Sequence, residues 1–206
     1  MTDLSKELEQ RSQAVRQVGR PRSTEADAAI VAATLDLFAE LGFDGMSIEA
    51  VAARAGVGKT TIYRRWPSKQ DLVVDAMDSL AAEVADPDTG TTRTDLIALL
   101  GHALRLITST KAGDALPRMA AEIATSSPLG RRYVETVLNP RRALVATIIE
   151  RGIRRGELRA DLDARLAVDS VMGPVILRKL MGELQVPPED FPERLVDSVL
   201  QGMLPR

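Results

Sequence analysis

Ser47-Ile-Glu-Ala-Val-Ala-Ala-Arg-Ala-Gly-Val-Gly-Lys-Thr-Thr-Ile-Tyr-Arg-Arg-Trp66 reads as two short helices joined by a tight turn. Ser47 is placed to cap the first, whose Ile48, Val51, Ala52 and Ala55 recur at i, i+3, i+4 and i+7 and so share one apolar face. Gly56 supplies the left-handed backbone that ends a helix, and Val57 is apolar enough to tuck beneath the turn. The second helix is expected from about Gly58 to Arg65, with Ile62 inward and Lys59, Thr60, Tyr63 and Arg64 outward. From Arg54 to Lys69 the chain carries Arg54, Lys59, Arg64, Arg65 and Lys69 and no acidic residue. A compact helix pair with that charge balance suits the major groove of DNA.

Outward from this stretch, the charge distribution matters more than its total. The formal net charge of −2 argues by itself against a nucleic-acid partner. Binding depends on the patch a phosphate meets, however, and a second basic zone lies nearby: residues 10 to 24 contain Arg11, Arg16, Arg20 and Arg22 without an acid. Aromatic content is 3%, while Ala, Leu, Val and Arg abound, a composition that favours helices. With no cysteine, disulfides, thiol catalysis and cysteine-bound metals are excluded, and a single histidine, His102, argues against a histidine-rich metal site. No catalytic constellation and no cofactor are expected, for there is no Gly-x-Ser-x-Gly or metal-binding string. No apolar run approaches the roughly 18 residues of a membrane span, and no secretory leader is evident, so the chain is expected in the cytoplasm without a membrane partner.

Punctuation divides the 206 residues into three parts. Residues 1–22 are polar and aperiodic and are expected to form a flexible basic arm. Residues 23–84 are expected as a helical unit around the helix pair at about 47–66. Its first helix starts near Ser23 or Thr24, carries Ile30, Ala33, Leu37 and Leu41 on one face, and stops at Gly42. Trp66, Phe38, Phe43 and Ile62 are assigned to its core. After Pro67, Ser68 and Asp71 have capping-box spacing for a fourth helix to about Val84. Asp86-Pro-Asp-Thr-Gly-Thr91 is the boundary to residues 85–206, where helical patterns are broken only by short turns. Two of these later helices are apolar over wide arcs. Val171, Val175 and Leu180 on one, with Leu195, Val196, Val199, Leu200 and Met203 on the last, are read as a surface for a second copy of the chain; burial within one subunit is the competing reading.

The quoted helix pair, the preceding Leu35-Asp-Leu-Phe-Ala-Glu-Leu-Gly-Phe43 and the following Trp66-Pro-Ser-Lys-Gln-Asp-Leu72 resemble the TetR family of bacterial transcriptional regulators. The match spans about residues 24 to 75 and is specific; further on, Arg154-Arg-Gly-Glu-Leu-Arg-Ala-Asp-Leu-Asp163 and Met172-Gly-Pro174 resemble a C-terminal type of that family more loosely. The resemblance implies an all-α homodimer: an N-terminal three-helix helix-turn-helix domain that binds an operator in double-stranded DNA, and a C-terminal helical domain for dimerisation and a small-molecule effector. It places DNA contacts on Ser47, Gly58, Lys59, Thr60, Thr61, Tyr63, Arg64, Arg65 and Lys69. Gly58 departs from the Ser or Thr usual at the start of the recognition helix and leaves room for backbone to approach a phosphate.

Within that frame Lys59, Thr60 and Arg64 are candidates for base edges, since Lys or Arg on guanine is the commonest specific contact. Thr61, Tyr63, Arg65 and Lys69 suit phosphates, which fix register, and Ser47 presents a helix N-terminus. Gly19-Arg-Pro-Arg22 is similar to minor-groove arms, which assigns Arg20 and Arg22 either to a narrow groove or to an unstructured tail. For an effector, His102, Arg118, Met119, Glu122, Met172 and Ile176 are candidate pocket residues, in an aliphatic environment because only Tyr133 and Phe191 are aromatic beyond residue 82. Two rival readings stand beside this one. Gly56-Val-Gly-Lys-Thr60 resembles the end of a phosphate-binding loop, but the required earlier glycine is Ala53 and a helix pattern, not a strand, precedes it. The other rival is a helical protein-interaction module without sequence-specific DNA binding.

Overall fold

The computed structural model describes residues 21–79, 86–184 and 187–204. Among these, the chain forms ten α-helices and one π-helical turn, with no strand. The first helix, α1 (Pro21–Gly45), begins two residues before the expected start and loses helical geometry at Gly42, whose φ of 73° is left-handed. Ile30, Ala33, Leu37 and Phe38 are buried as expected, and the buried Thr34 hydroxyl donates to the Ile30 carbonyl at 2.7 Å. Leu41 was placed on the same face but is exposed, since it closes the last regular turn before the break.

Next come α2 (Ile48–Ala55), α3 (Lys59–Tyr63) and α4 (Lys69–Asp78). Ser68 accepts from the Asp71 amide at 3.1 Å and so caps α4 as expected, while the Asp71 carboxylate accepts from the Ser68 hydroxyl at 2.6 Å instead of from its backbone N–H. Beyond Ser79, the expected extension of α4 to Val84 lies outside the described residues. Thr91 caps α5 (Thr92–Ser109), its hydroxyl accepting from the Thr94 amide at 3.2 Å. Thr110 ends α5 and caps α6 (Lys111–Ala124), and this one-residue corner requires Gly113: a Cβ there would lie 2.1 Å from the Ile107 carbonyl oxygen. Then follow α7 (Pro128–Tyr133), the π-helical turn Val134–Leu138 just before Pro140, α8 (Asn139–Arg154), α9 (Ala164–Leu180) and α10 (Phe191–Leu200). Asp163 caps α9 through the amides of Arg165 and Leu166.

Two apolar clusters fill the interior. The first joins α1–α4 to Ala115 and Met119 of α6, Leu129 and Tyr133 of α7, and Val137 of the π turn. The division expected near residue 85 is thus a division of the chain that the core crosses. The second cluster packs α5 (Leu96, Leu100, Leu104), α8 (Val145, Ile148, Ile149), α9 and α10 together. Val171, Val175, Val196, Leu200 and Met203, assigned from sequence to a partner surface, are buried in this second cluster. Leu180, Leu195 and Val199 are half-buried. The width of their apolar arcs reflects packing against α5 and α8. Instead, Leu166, Leu177 and Met181, spaced along one face of α9, are about 60% exposed.

Polar order concentrates where residues 86–91 meet α5 and α8. Asp95 is fully buried and accepts from the Thr89 amide at 2.6 Å, the Thr89 hydroxyl at 2.7 Å and Arg151 Nη2 at 3.1 Å. Burial pushes its carboxyl up, but the Thr89 hydrogen bonds and Arg151 outweigh that and leave it below the usual carboxylate range. The stabilisation is therefore complete above the unfolded carboxylate value of about 4 and is lost as the pH falls through the lower folded value. Asp95→Ala is expected to cost about 3 kcal/mol in urea unfolding at pH 7, because it leaves the Thr89 amide and hydroxyl without their acceptor, although Arg151 keeps Asp86 and Asp88. Asp95→Asn should also flatten the acid limb of the stability profile below pH ~4; an unchanged limb would remove Asp95 as its cause.

Candidate nucleic-acid interface

The turn between α2 and α3 is built from local rules. Ser47 adopts extended backbone and its hydroxyl accepts from the Ala50 amide at 3.1 Å. At the other end of α2, Gly56 has φ 66°, its amide donates to the Ala53 carbonyl at 3.3 Å, and the Val57 amide donates to Ala52 at 3.0 Å. This paired closure needs the left-handed glycine. Gly58 then caps α3 through extended backbone alone, with no side-chain bond. Ile62 is wholly buried and orients α3, leaving Lys59, Thr60, Tyr63 and Arg64 exposed and Thr61 half-buried. Ser47 and Gly58 are exposed beside them.

The basic residues of this surface differ in how they are held. Lys59 Nζ lies 2.9 Å from Glu49 Oε1 in an exposed ion pair, and the hydrogen bond from Lys59 lowers the Glu49 carboxyl below its usual range. Arg65, half-buried, pairs with Asp27 of α1. Arg54 forms two hydrogen bonds with Glu40, at 2.8 and 2.9 Å, so this member of the basic zone ties α2 to α1. Lys69 is turned inward: its ammonium donates to the Phe43 carbonyl at 2.6 Å and the Met46 carbonyl at 3.0 Å, and it stands 4.3 Å over the Phe43 ring. The phosphate role expected for Lys69 gives way to closing the α1–α2 turn, whose carbonyls lack helical partners. Trp66 is buried as expected, and its indole N–H donates to Asp75 at 2.8 Å, fixing the end of α3 against α4.

Sequence reasoning missed Glu49, Asp27 and Glu40 as partners, because pairing at separations of 10 to about 40 residues depends on how the helices cross. Arg20 lies outside the described residues. Arg22 falls within the first turn of α1 rather than in the arm before it.

A second feature lies in the C-terminal part, where α5, α6, α8 and α9 enclose a cavity of about 410 Å³. His102, Met172 and Ile176 line it as expected, among Leu99, Leu106, Leu116, Ala120 and Ile123. Arg118, Met119 and Glu122 are not in its wall. At 100° per residue, turning Leu116, Ala120 and Ile123 to the cavity turns Met119 into the first core cluster and leaves Arg118 to donate to the Ala39 and Glu40 carbonyls at 3.2 and 3.3 Å. The sequence-based list also omitted the polar groups of the wall, Tyr133, Arg141, Arg142 and Asp169.

Comparison with known proteins agrees with this geometry in both the N-terminal and the C-terminal part. The family described as bacterial regulatory proteins, tetR family, matches residues 30–76, and the tetracyclin repressor-like C-terminal domain matches residues 86–199. An uncharacterized HTH-type transcriptional regulator of Bacillus subtilis, YdeS, is 33% identical over 79% of this chain and 82% of its own. The DNA-binding transcriptional repressor TetR of Mycobacteroides abscessus is 35% identical over 87% of this chain and 94% of its own. The crystal structure of the TetR family transcription regulator SCO0332 superposes with a TM-score of 0.64 at 33% identity, covering 88% of this chain and 100% of that one. With both halves matched and the α2–α3 turn presenting a basic outer face, the chain belongs to the TetR family of helix-turn-helix transcriptional regulators.

Proposed function

We propose that the protein is a homodimeric repressor that binds a near-palindromic operator and leaves it when a small molecule enters the C-terminal cavity. The observation that carries this reading is the outer face of α3. Ile62 is sealed in the core while Lys59, Thr60, Tyr63 and Arg64 stand in solvent. Lys59, Thr60 and Arg64 then read base edges, and Ser47, Gly58, Thr61, Tyr63 and Arg65 position the helix on phosphates, with Arg20 and Arg22 beside the adjoining groove. Lys69 is left out of the interface. A relative named as a repressor, at 35% identity, favours repression over activation.

The surface proposed for the second copy is the exposed row Leu166, Leu177 and Met181 on α9. Two copies joined there would carry two recognition helices, and duplex geometry asks that these meet half-sites about 34–36 Å apart or somewhat more. Leu177→Glu with Met181→Glu should yield a monomer by sedimentation, with helicity unchanged and operator affinity strongly reduced. A double variant that stays dimeric would relocate the interface.

DNA binding is tested by gel-shift titration over a range of salt, where log affinity should fall linearly with log salt. Lys59→Ala is expected to cost about 1–3 kcal/mol on the preferred operator and to relax selectivity at one base position. Glu49→Gln removes the carboxylate that Lys59 now faces and should tighten binding to all sequences severalfold. Lys69→Ala should lower folding stability by about 2 kcal/mol, from lost charge-assisted bonds, while Arg64→Ala leaves stability unchanged and weakens DNA binding. Site-independent binding, or none, would favour the helical interaction module instead.

A further inference from the structure

Arg141 lies between the cavity and the DNA-binding unit. Its side chain is part of the cavity wall, yet its carboxylate partner is outside: Arg141 Nη2 meets Asp78 Oδ1 at 3.1 Å, at the C-terminal end of α4. The other guanidinium of the wall, Arg142, already faces a carboxylate of the wall, Asp169, at 3.6 Å. Arg141 is therefore the cation that the cavity itself leaves uncompensated. It also lies close to Tyr133, whose hydroxyl is pushed up by burial and eased back by the Arg141 charge. On the α5 side, His102 Nε2 is buried without a hydrogen-bond partner among the described residues, although buried polar atoms are ordinarily satisfied. The rest of the wall is aliphatic, with Tyr133 its only phenyl ring.

We propose that the effector is an anion, carboxylate or phosphate, carried on an aliphatic body, and that Arg141 is its receptor, exchanging Asp78 for the ligand. This deepens the effector reading above and rests on it. The planar fork of a guanidinium matches either oxyanion bidentately, and His102 is within the same wall to bond a second polar atom. The aliphatic lining takes up an apolar chain and offers little to a flat aromatic ligand. Asp78 and Arg141 are both partly exposed, which makes their pair weak and readily exchanged. Giving it up removes a polar tie between α8 and α4, the helix that directly follows the recognition helix. Differential affinity of this kind is what couples a ligand to DNA release, and the coupling acts equally in both directions.

The test is calorimetric titration of the full-length protein with dodecanoate, dodecyl phosphate, dodecanol and dodecylamine, followed by gel shifts with each. At least one anion should bind roughly tenfold or more tightly than dodecanol, the margin of one charge-assisted hydrogen bond, and the tighter anion names the head group. Arg141→Met should erase that preference while retaining dodecanol binding, which also reports an intact cavity. Asp78→Asn, which leaves Arg141 in place, should instead tighten the anion severalfold. Equal binding of anion and alcohol, preference for the amine, an unchanged preference in Arg141→Met, weaker binding in Asp78→Asn, or no binding of any probe would each overturn the proposal. Failure of the regulator reading looks different: the unliganded protein would then give no selective gel shift at all.

Discussion

Everything the recognition helix can do depends on α1 being packed on both sides. Ile30, Ala33, Leu35, Leu37 and Phe38 are buried in one cluster that includes Val51 and Ile62 of the helix pair and Met119 and Leu129 from the C-terminal part. Each large side chain so buried contributes on the order of 2 kcal/mol, whereas the exposed ion pairs along the same junction contribute about 0–1 each. The apolar cluster accordingly holds the two parts together. The polar ties Lys111–Asp36, Gln70–Pro128, Arg132–Asp71 and Arg141–Asp78 fix how they are oriented. The proposed exchange at Arg141 would act on one of these weak ties and leave the apolar cluster in place.

The helix pair was legible in the sequence because its structure is local. Ser47, Gly56, Ser68 and Asp71 act through hydrogen bonds to residues three or four positions away, and each was placed by a rule about helix ends. The break at Gly42 and the burial of Ile62 follow from the same short-range logic. Lys69 was not legible. A basic residue just after the recognition helix looks like a phosphate contact until its neighbours are known, and its acceptors lie 26 and 23 residues earlier in the chain.

The C-terminal part was less readable for a related reason. Periodicity shows how much of a helix is apolar but not which element covers it. Val171, Val175, Val196 and Leu200 are covered within the subunit by α5 and α8, and periodicity alone does not separate them from Leu166, Leu177 and Met181, which belong to the same wide apolar arc but face outward. In the cavity, three of six expected residues line the wall. On α6, Arg118 and Glu122 share a polar face with Lys111 and Asp114, so the helical period of this segment already turned them from an apolar cavity, while Met119 sits on the apolar face but points into the first cluster, which only the folded chain reveals. Arg141 and Arg142 could have been noticed as adjacent cations following Pro140, but only the folded chain sets one against Asp78 and the other against Asp169.

The central claim is that the outer face of α3 reads duplex DNA as one of a symmetric pair. Selection of bound fragments from a random double-stranded pool tests it most directly. The account requires an enriched sequence with two-fold symmetry, its half-sites about one helical turn apart or somewhat more, and enrichment that collapses when Lys59, Thr60 and Arg64 are replaced by alanine. A pool that stays random, or an enriched sequence indifferent to those three replacements, would contradict it.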